Sequence, residues 1–184
     1  MSDKSRTIIC ITGLPGAGKS TVAQVASDMG FKVINMGDVV REEAERRGVR
    51  HDDSNLGEIM LQLRRTKGPA VVAELCLPQI MKSNSNSFVI DGVRSVDEIN
   101  VFKTAGNVKV LAVSAEKKLR KNLLLRRGRS DAPQDRNSFE GRDIREIEVG
   151  VGKAIEVADV QIENDGITLD GLREKSEIVL KKIG

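Results

Sequence analysis

Short apolar runs alternate along the chain with longer segments whose apolar positions recur at the three-to-four-residue spacing of a helical face. The run "RTIICIT" (6–12) is β-branched and stops at Gly13, which predicts a buried strand. "GKSTVAQVASDMG" (18–30) then spaces Val22, Val25, Ala26 and Met29 as a helix does, with Gly30 as its stop. "FKVINM" (31–36) reads as a second short strand, and "GDVVREEAERRG" (37–48) as a helix ended by Gly48. "HDDSNLGEIMLQLRRTKG" (51–68) opens with turn residues and then puts Leu56, Ile59, Met60 and Leu63 on one face. Pro69 is expected in the first turn of the next helix, and Pro78 is expected to kink or end it.

The second half repeats the alternation. "FVIDG" (88–92) predicts a strand ending in turn residues, "VDEINVFKTAG" (96–106) a helix, and "VKVLAVSA" (108–115) a strand. "EKKLRKNLLLRRG" (116–128) is a basic helix. "RSDAPQDRNS" (129–138) has no apolar period and is expected to be an exposed loop. "FEGRDIREIEVGVGKAIEVA" (139–158) returns to helix, weakened in its middle by Gly150 and Gly152. "DVQIEND" (159–165) is a last strand, followed by a turn at Gly166 and a final helix over 168–183. Strands that alternate with helices imply a parallel sheet covered on both faces, with ligands at the carboxyl ends of the strands.

Composition narrows the choices. A chain of 184 residues that is 39% hydrophobic fits one compact domain, here 1–184 with a helical insert at 37–83. Charged residues make up 31%, yet the formal net charge is only +3, so the surplus favours small anionic ligands rather than nucleic acid. Four Phe with no Trp or Tyr leave no stacking platform for single strands, which argues against nucleic acid as a partner. Cys10 and Cys76 sit in apolar contexts and read as buried thiols. "MSDKSR" lacks a signal-peptide core, and no stretch nears the ~20 apolar residues of a membrane span, so the expectation is a cytoplasmic monomer or small homo-oligomer without membrane partners.

The most specific motif is "GLPGAGKS" (13–20), a GxxxxGKS spacing between a strand and a helix. Gly13, Leu14, Pro15, Gly16, Ala17 and Gly18 would curl so that backbone amides point at a polyphosphate, aided by the helix dipole. Lys19 would reach the β- and γ-phosphates, Ser20 would hold Mg²⁺, and Thr21 would support the α-phosphate side. The nucleotide is expected to be ATP, with GTP left open. At the next strand end Asp91 is the candidate for the Mg²⁺ shell, against the plain reading of an Asp-Gly turn, and Arg94 lies at the same sheet edge. Asp38 and Arg41 share a helical face at i, i+3, which suits either a surface ion pair or a second phosphate.

"GLPGAGKST", then "MGDVVRE", then "DGVRS" after a helical insert resembles the adenylate kinase and related nucleoside monophosphate kinase family. It is also similar to archaeal adenylate-kinase-related P-loop proteins. The resemblance implies a P-loop three-layer α/β/α sandwich with a five-stranded parallel sheet, a helical acceptor insert and a short arginine-rich lid at 128–138. It implies that Gly37, Asp38 and Arg41 bind the acceptor phosphate. Members carry Asp-Gly-Phe-Pro-Arg at the third strand where this chain has Asp-Gly-Val-Arg, so Arg94 is carried over across a gap. The lid would supply Arg126, Arg129 and Arg142 to the transferring phosphoryl group. "ENDG" resembles dephospho-coenzyme A kinases and would put Asn164, Asp165 and Gly166 by the donor base; a simple turn is the alternative. His51, alone among acidic turn residues, reads as polar surface. The expected function is transfer of the ATP γ-phosphoryl group to a nucleoside monophosphate. The alternatives are a dephospho-coenzyme A kinase-like enzyme and a nucleotide-dependent switch or assembly ATPase touching RNA or ribosomes.

Overall fold

The computed structural model describes residues 6–126 and 136–184. Its sheet contains β1 (Thr7–Thr12), β2 (Lys32–Asn35), β3 (Ser87–Val93), β4 (Asn107–Ser114) and β5 (Val160–Glu163). Every neighbouring pair is parallel, in the order β2-β3-β1-β4-β5. Parallel pairing requires crossovers, and helices supply them. After β1 comes α1 (Lys19–Asp28), and after β2 come α2 (Met36–Arg46), α3 (Asp53–Lys67) and α4 (Val71–Met81). After β3 comes α5 (Val96–Phe102), and after β4 come α6 (Lys117–Arg126), α7 (Arg136–Val149) and α8 (Val151–Glu156); α9 (Leu169–Ile183) closes the order.

The strand period of two sorts the apolar side chains into two cores. Ile8 and Cys10 face α2 to α5 and α8, where Met36, Val72, Cys76, Ile80, Phe88 and Phe102 are fully buried. Ile9 and Ile11 face α1 and α9, packing on Val22, Ala26, Leu172 and Leu180. The expected α/β/α sandwich is therefore the observed one. The insert helices share the first core with the sheet, through Val39, Ala44, Ile59, Met60 and Leu63. Both cysteines are free and buried, and burial pushes their thiols up, that of Cys76 to about 12.

Three expectations are corrected and one is narrowed. The strand at 88–92 does not stop at Asp91–Gly92: β3 runs on to Val93, because Gly92 adopts φ 94° and forms a bulge opposite β1, where the register slips between Ile11 and Thr12. Pro69 lies outside the helix, which begins at Val71 with Ala70 as N-cap. Of the two outcomes expected for Pro78, ending the helix does not occur: it sits within α4, and Glu74, whose carbonyl loses its amide donor, is an exposed residue. Of the loop expected over 129–138, residues 129–135 lie outside the described residues and the chain is helical from Arg136, and the helix beyond is divided at Gly150 into α7 and α8.

A buried ion pair fastens the insert to the sheet edge. Ser95 caps α5 by accepting the Glu98 amide at 3.2 Å, while Glu98 reaches back to the Arg94 amide at 2.7 Å. The other Glu98 oxygen takes the Arg64 guanidinium from α3, and the Glu98 side chain has no exposed surface. Removing one partner of such a pair leaves an uncompensated charge. Glu98→Ala is therefore expected to destabilise the fold by about 3–5 kcal/mol, read from urea unfolding. A loss below about 1 kcal/mol would show that the pair is not what fastens α3 to α5.

Candidate active site

β1 ends at the centre of the sheet and hands the chain to the glycine loop. The loop is packed too tightly for side chains at two positions. A Cβ on Gly13 would run into the Val113 carbonyl of β4, and one on Gly16 would run into the Arg120 carbonyl of α6. Both residues also have positive φ, 142° and 80°. Two buried side chains fix the loop's peptide planes. Arg120 donates to the Pro15 carbonyl at 3.1 Å, and Asn164 donates to the Ala17 carbonyl at 3.0 Å. In a trans peptide the N–H points opposite to the C=O. Holding those two carbonyls inward therefore turns the amides of Gly16 and Gly18 the other way, toward the cavity that both residues line. The N-terminus of α1 behind them has no side-chain cap, so its first amides remain available to an anion.

Lys19 bends back over this loop and donates to the carbonyls of Gly13 at 2.7 Å and Leu14 at 3.0 Å. Burial pushes its ammonium down to about 8, against the pull of Asp91 and Glu146 in the opposite direction. Ser20, Thr21, Lys19 and Asp91 share one cavity wall with Leu123 and Arg126 of α6. Asp91 is buried; one oxygen lies 3.4 Å from the Asn35 amide nitrogen, and Oδ1 has no hydrogen-bond partner. An orphaned carboxylate oxygen on a residue that lines the same cavity as a serine hydroxyl offers oxygen donors of the kind that suit a hard divalent cation such as Mg²⁺.

The adjoining cavity shares Gly16, Lys19 and Asp91 and extends toward the insert. Four arginines line it from three directions: Arg41 from α2, Arg94 after the β3 bulge, and Arg142 and Arg145 from α7. Each is held by a carboxylate or carbonyl. Arg41 pairs with Asp38 at 2.6 Å, and Arg94 bonds Glu146 and the Gly92 carbonyl. Arg142 and Arg145 both reach Asp53 at the start of α3, at 3.3 and 2.8 Å. Arg145 lies flat on Gly57, where a Cβ would come within 2.6 Å of its guanidinium carbon. Val40, Leu56 and Met60 give the same cavity an apolar side. The Glu146 carboxyl is pushed up by burial but ends below its ordinary range, because Arg94, Arg142 and Lys19 outweigh that burial.

Lys19, Gly13, Pro15, Gly16, Gly37, Arg41, Asp91, Arg94 and Arg142 thus converge on one cavity. Gly18, Ser20, Thr21 and Arg126 line the neighbouring one. Leu14 contributes its carbonyl to Lys19, and Ala17 is buried beneath the loop. Asp38 stands outside as the exposed partner of Arg41. Asn164, expected by a donor base, is buried with its side-chain amide committed to the loop. Arg129 lies outside the described residues. His51 is a surface residue 3.8 Å from Glu45. Residue types and spacing had not singled out Asn35, Asp53, Arg120, Arg145 and Glu146 for the site. The available signal was "GRDIRE" (141–146), which puts Arg142, Arg145 and Glu146 on one helical face.

A glycine loop feeding an uncapped helix, on a parallel sheet of this order with a second basic cavity beside it, defines a P-loop nucleotide-binding protein of the kinase-like class. Comparison with known proteins agrees. The AAA domain family matches residues 12–140. The UPF0200 protein of Methanosarcina barkeri is 42% identical over 163 residues, spanning 86% of each chain. That of Hyperthermus butylicus is 37% identical over 183 residues, spanning 100% of this chain and 98% of its own. The chain belongs to the AAA domain family and, among curated proteins, to the UPF0200 proteins. Solved structures share the fold. TT1252 from Thermus thermophilus has a TM-score of 0.67 at 20% identity, covering 97% of this chain and 98% of its own. Shikimate kinase from Acinetobacter baumannii, in complex with shikimate, has a TM-score of 0.58 at 16% identity, covering 97% and 92%.

The Lys19 environment has a pH consequence. A lysine whose ammonium is depressed by the fold is penalised while charged, and that penalty is relieved as pH rises from about 8 toward 10.5. A bound polyphosphate favours the charged form and opposes the shift. Nucleotide affinity is therefore expected to hold steady below about pH 8 and to fall by up to about tenfold per pH unit above it, with uptake of a proton on binding. Calorimetry in buffers of different ionisation heat reads that uptake. Affinity that is flat across this range, with no proton exchanged, would remove Lys19 from the phosphate contact.

Proposed function

We propose that this protein transfers the γ-phosphoryl group of ATP to a small phosphorylated acceptor, and that the acceptor is a nucleoside monophosphate. The observation that carries the reading is the pair of cavities meeting at Gly16, Lys19 and Asp91, one walled by the glycine loop and the other by four arginines. Two anionic groups seated there would face each other across Lys19. An apolar side formed by Val40, Leu56 and Met60 next to the arginines suits a flat base attached to a phosphate.

The chemistry needs little beyond positioning and charge. An oxygen of the acceptor phosphate attacks the γ-phosphorus, the bond from that phosphorus to the β,γ-bridging oxygen breaks, and ADP leaves. The attacking oxygen is already ionised, so no general base is required. Lys19 and the amides of Gly16 and Gly18 hold the donor phosphates, and the arginines hold the acceptor and the charge that spreads over the transferring group. Ser20 and Asp91 are the residues that would hold Mg²⁺, which when bound neutralises charge between the donor phosphates. Arg126 of α6 stands over the donor side.

ADP formation from ATP, measured with each nucleoside monophosphate and with dephospho-coenzyme A, tests the proposal. Strong dependence on one monophosphate is expected. Dependence on dephospho-coenzyme A would move the acceptor class, and slow turnover indifferent to every acceptor would favour a nucleotide switch. Lys19→Ala is expected to abolish turnover while the far-ultraviolet dichroism stays native. Arg41→Ala is expected to raise the acceptor KM roughly ten- to hundredfold, the loss of a charge-assisted hydrogen bond, and to leave the ATP KM unchanged. An unchanged acceptor KM would take Arg41 out of the acceptor site.

A further inference from the structure

Arg120 is among the most buried charged residues described, at 4% exposure, and beyond supporting the glycine loop it has no contact with either substrate in the transfer described above. Its surroundings are unusually complete. The guanidinium grips Asp143 of α7 through two hydrogen bonds of 2.8 and 2.6 Å and also donates to the Pro15 carbonyl at 3.1 Å. It lies over the Phe139 ring, 5.3 Å from the centroid. Its own carbonyl is the atom against which Gly16 is packed. One residue therefore touches the glycine loop with both side chain and main chain, and also holds the helix that carries the acceptor-side groups.

Asp143 is flanked in sequence by Arg142, and Glu146 follows at i+3, one turn along. Arg142, Arg145 and Glu146 line the acceptor cavity, while Asp143 turns to Arg120. The peptide that Arg120 fixes is the one whose amide belongs to Gly16, a residue of both cavities. A bidentate guanidinium–carboxylate fork has little angular freedom. Any rotation of α7 that re-aims Arg142 and Glu146 must therefore pull on Arg120, and through it on the Pro15–Gly16 peptide.

We propose that Arg120 is a positioning residue that makes the donor and acceptor cavities energetically dependent on each other. In this arrangement an anion drawn in by Arg142 and Arg145 fixes α7. The Asp143–Arg120–Pro15 link then holds the Gly16 amide in the orientation that receives the donor phosphates. Linkage requires the effect to be reciprocal, so a bound donor also tightens the acceptor side. The inference rests on the two-cavity reading above, but it is read by binding alone and needs no turnover. Failure of the acceptor assays to yield product would overturn the proposed reaction and leave this measurement intact.

The experiment measures, by calorimetry, the affinity of a non-hydrolysable imido analogue of ATP with magnesium, with and without adenosine monophosphate. The wild type is compared with Arg120→Lys and with the paired variant Arg120→Met/Asp143→Leu. The paired variant removes both charges at once and replaces them with apolar groups of similar volume, a change that buried ion pairs tolerate without unfolding; thermal unfolding confirms the fold. In the wild type the monophosphate is expected to tighten analogue binding about fivefold or more. In the paired variant that enhancement is expected to vanish and the analogue alone to bind roughly tenfold more weakly, the loss of one well-aimed amide contact. Arg120→Lys, which keeps a donor for Pro15 but not the fork, is expected to retain most of the analogue affinity and lose the enhancement. A wild type without enhancement, or a folded paired variant that retains it, would overturn the proposal.

Discussion

The cradle works because its carbonyl oxygens are held from beneath. A glycine loop is free to turn its peptide planes either way, and an anion site exists only if the N–H groups face outward together. Here the Pro15 carbonyl is held by Arg120 and the Ala17 carbonyl by Asn164, both from inside the protein. Lys19 occupies the carbonyls of Gly13 and Leu14. The two buried donors come from the elements following β4 and β5, on the far side of the sheet order from the insert. The loop's electrostatics are thus a product of the whole parallel sheet, and not of eight residues alone.

The second consequence is a cavity charged in both senses. Five basic side chains line it, together with three carboxylates, those of Asp53, Asp91 and Glu146. A cluster of unpaired arginines would repel itself and strain the fold. The carboxylates of Asp53 and Glu146 hold the guanidinium groups of Arg94, Arg142 and Arg145 in place with no ligand present, so these side chains are already ordered. The same pairs hold the insert to the rest of the molecule, since Asp53 opens α3 while Arg142 and Arg145 belong to α7.

Much of this was legible from residue pattern because strand and helix periods are local properties. β1, β4 and the glycine loop could be placed from spacing alone, and the alternation of elements implied the parallel sheet. The misreadings share a physical cause. Asp91–Gly92 looks like a turn, and only pairing with β1 shows it to be a bulge inside β3. Pro78 looks like a kink or a helix end, and α4 runs past it. The arginines were visible as a basic stretch, but which of them faces a phosphate depends on partners far away in sequence. Arg120 meets Pro15 across 105 positions and Arg145 meets Asp53 across 92. No local pattern distinguishes a guanidinium that supports the loop from one that lines the cavity.

That distinction bears on how the site divides its labour. Arg126, which the family resemblance favoured, is exposed at the rim of the cavity lined by Gly18 and Ser20, whereas Arg120, six residues earlier on the same helix, is buried under the loop. An exposed guanidinium is screened by water and is not tied to one geometry. A buried one, forked onto a carboxylate, keeps a fixed geometry and suits the part of the site that must not move. Placing both kinds on α6 lets one helix hold the loop from below and present an exposed cation at the cavity rim. The rigid contact fixes the Gly16 end of the loop, which lies at the wall shared with the arginine cavity.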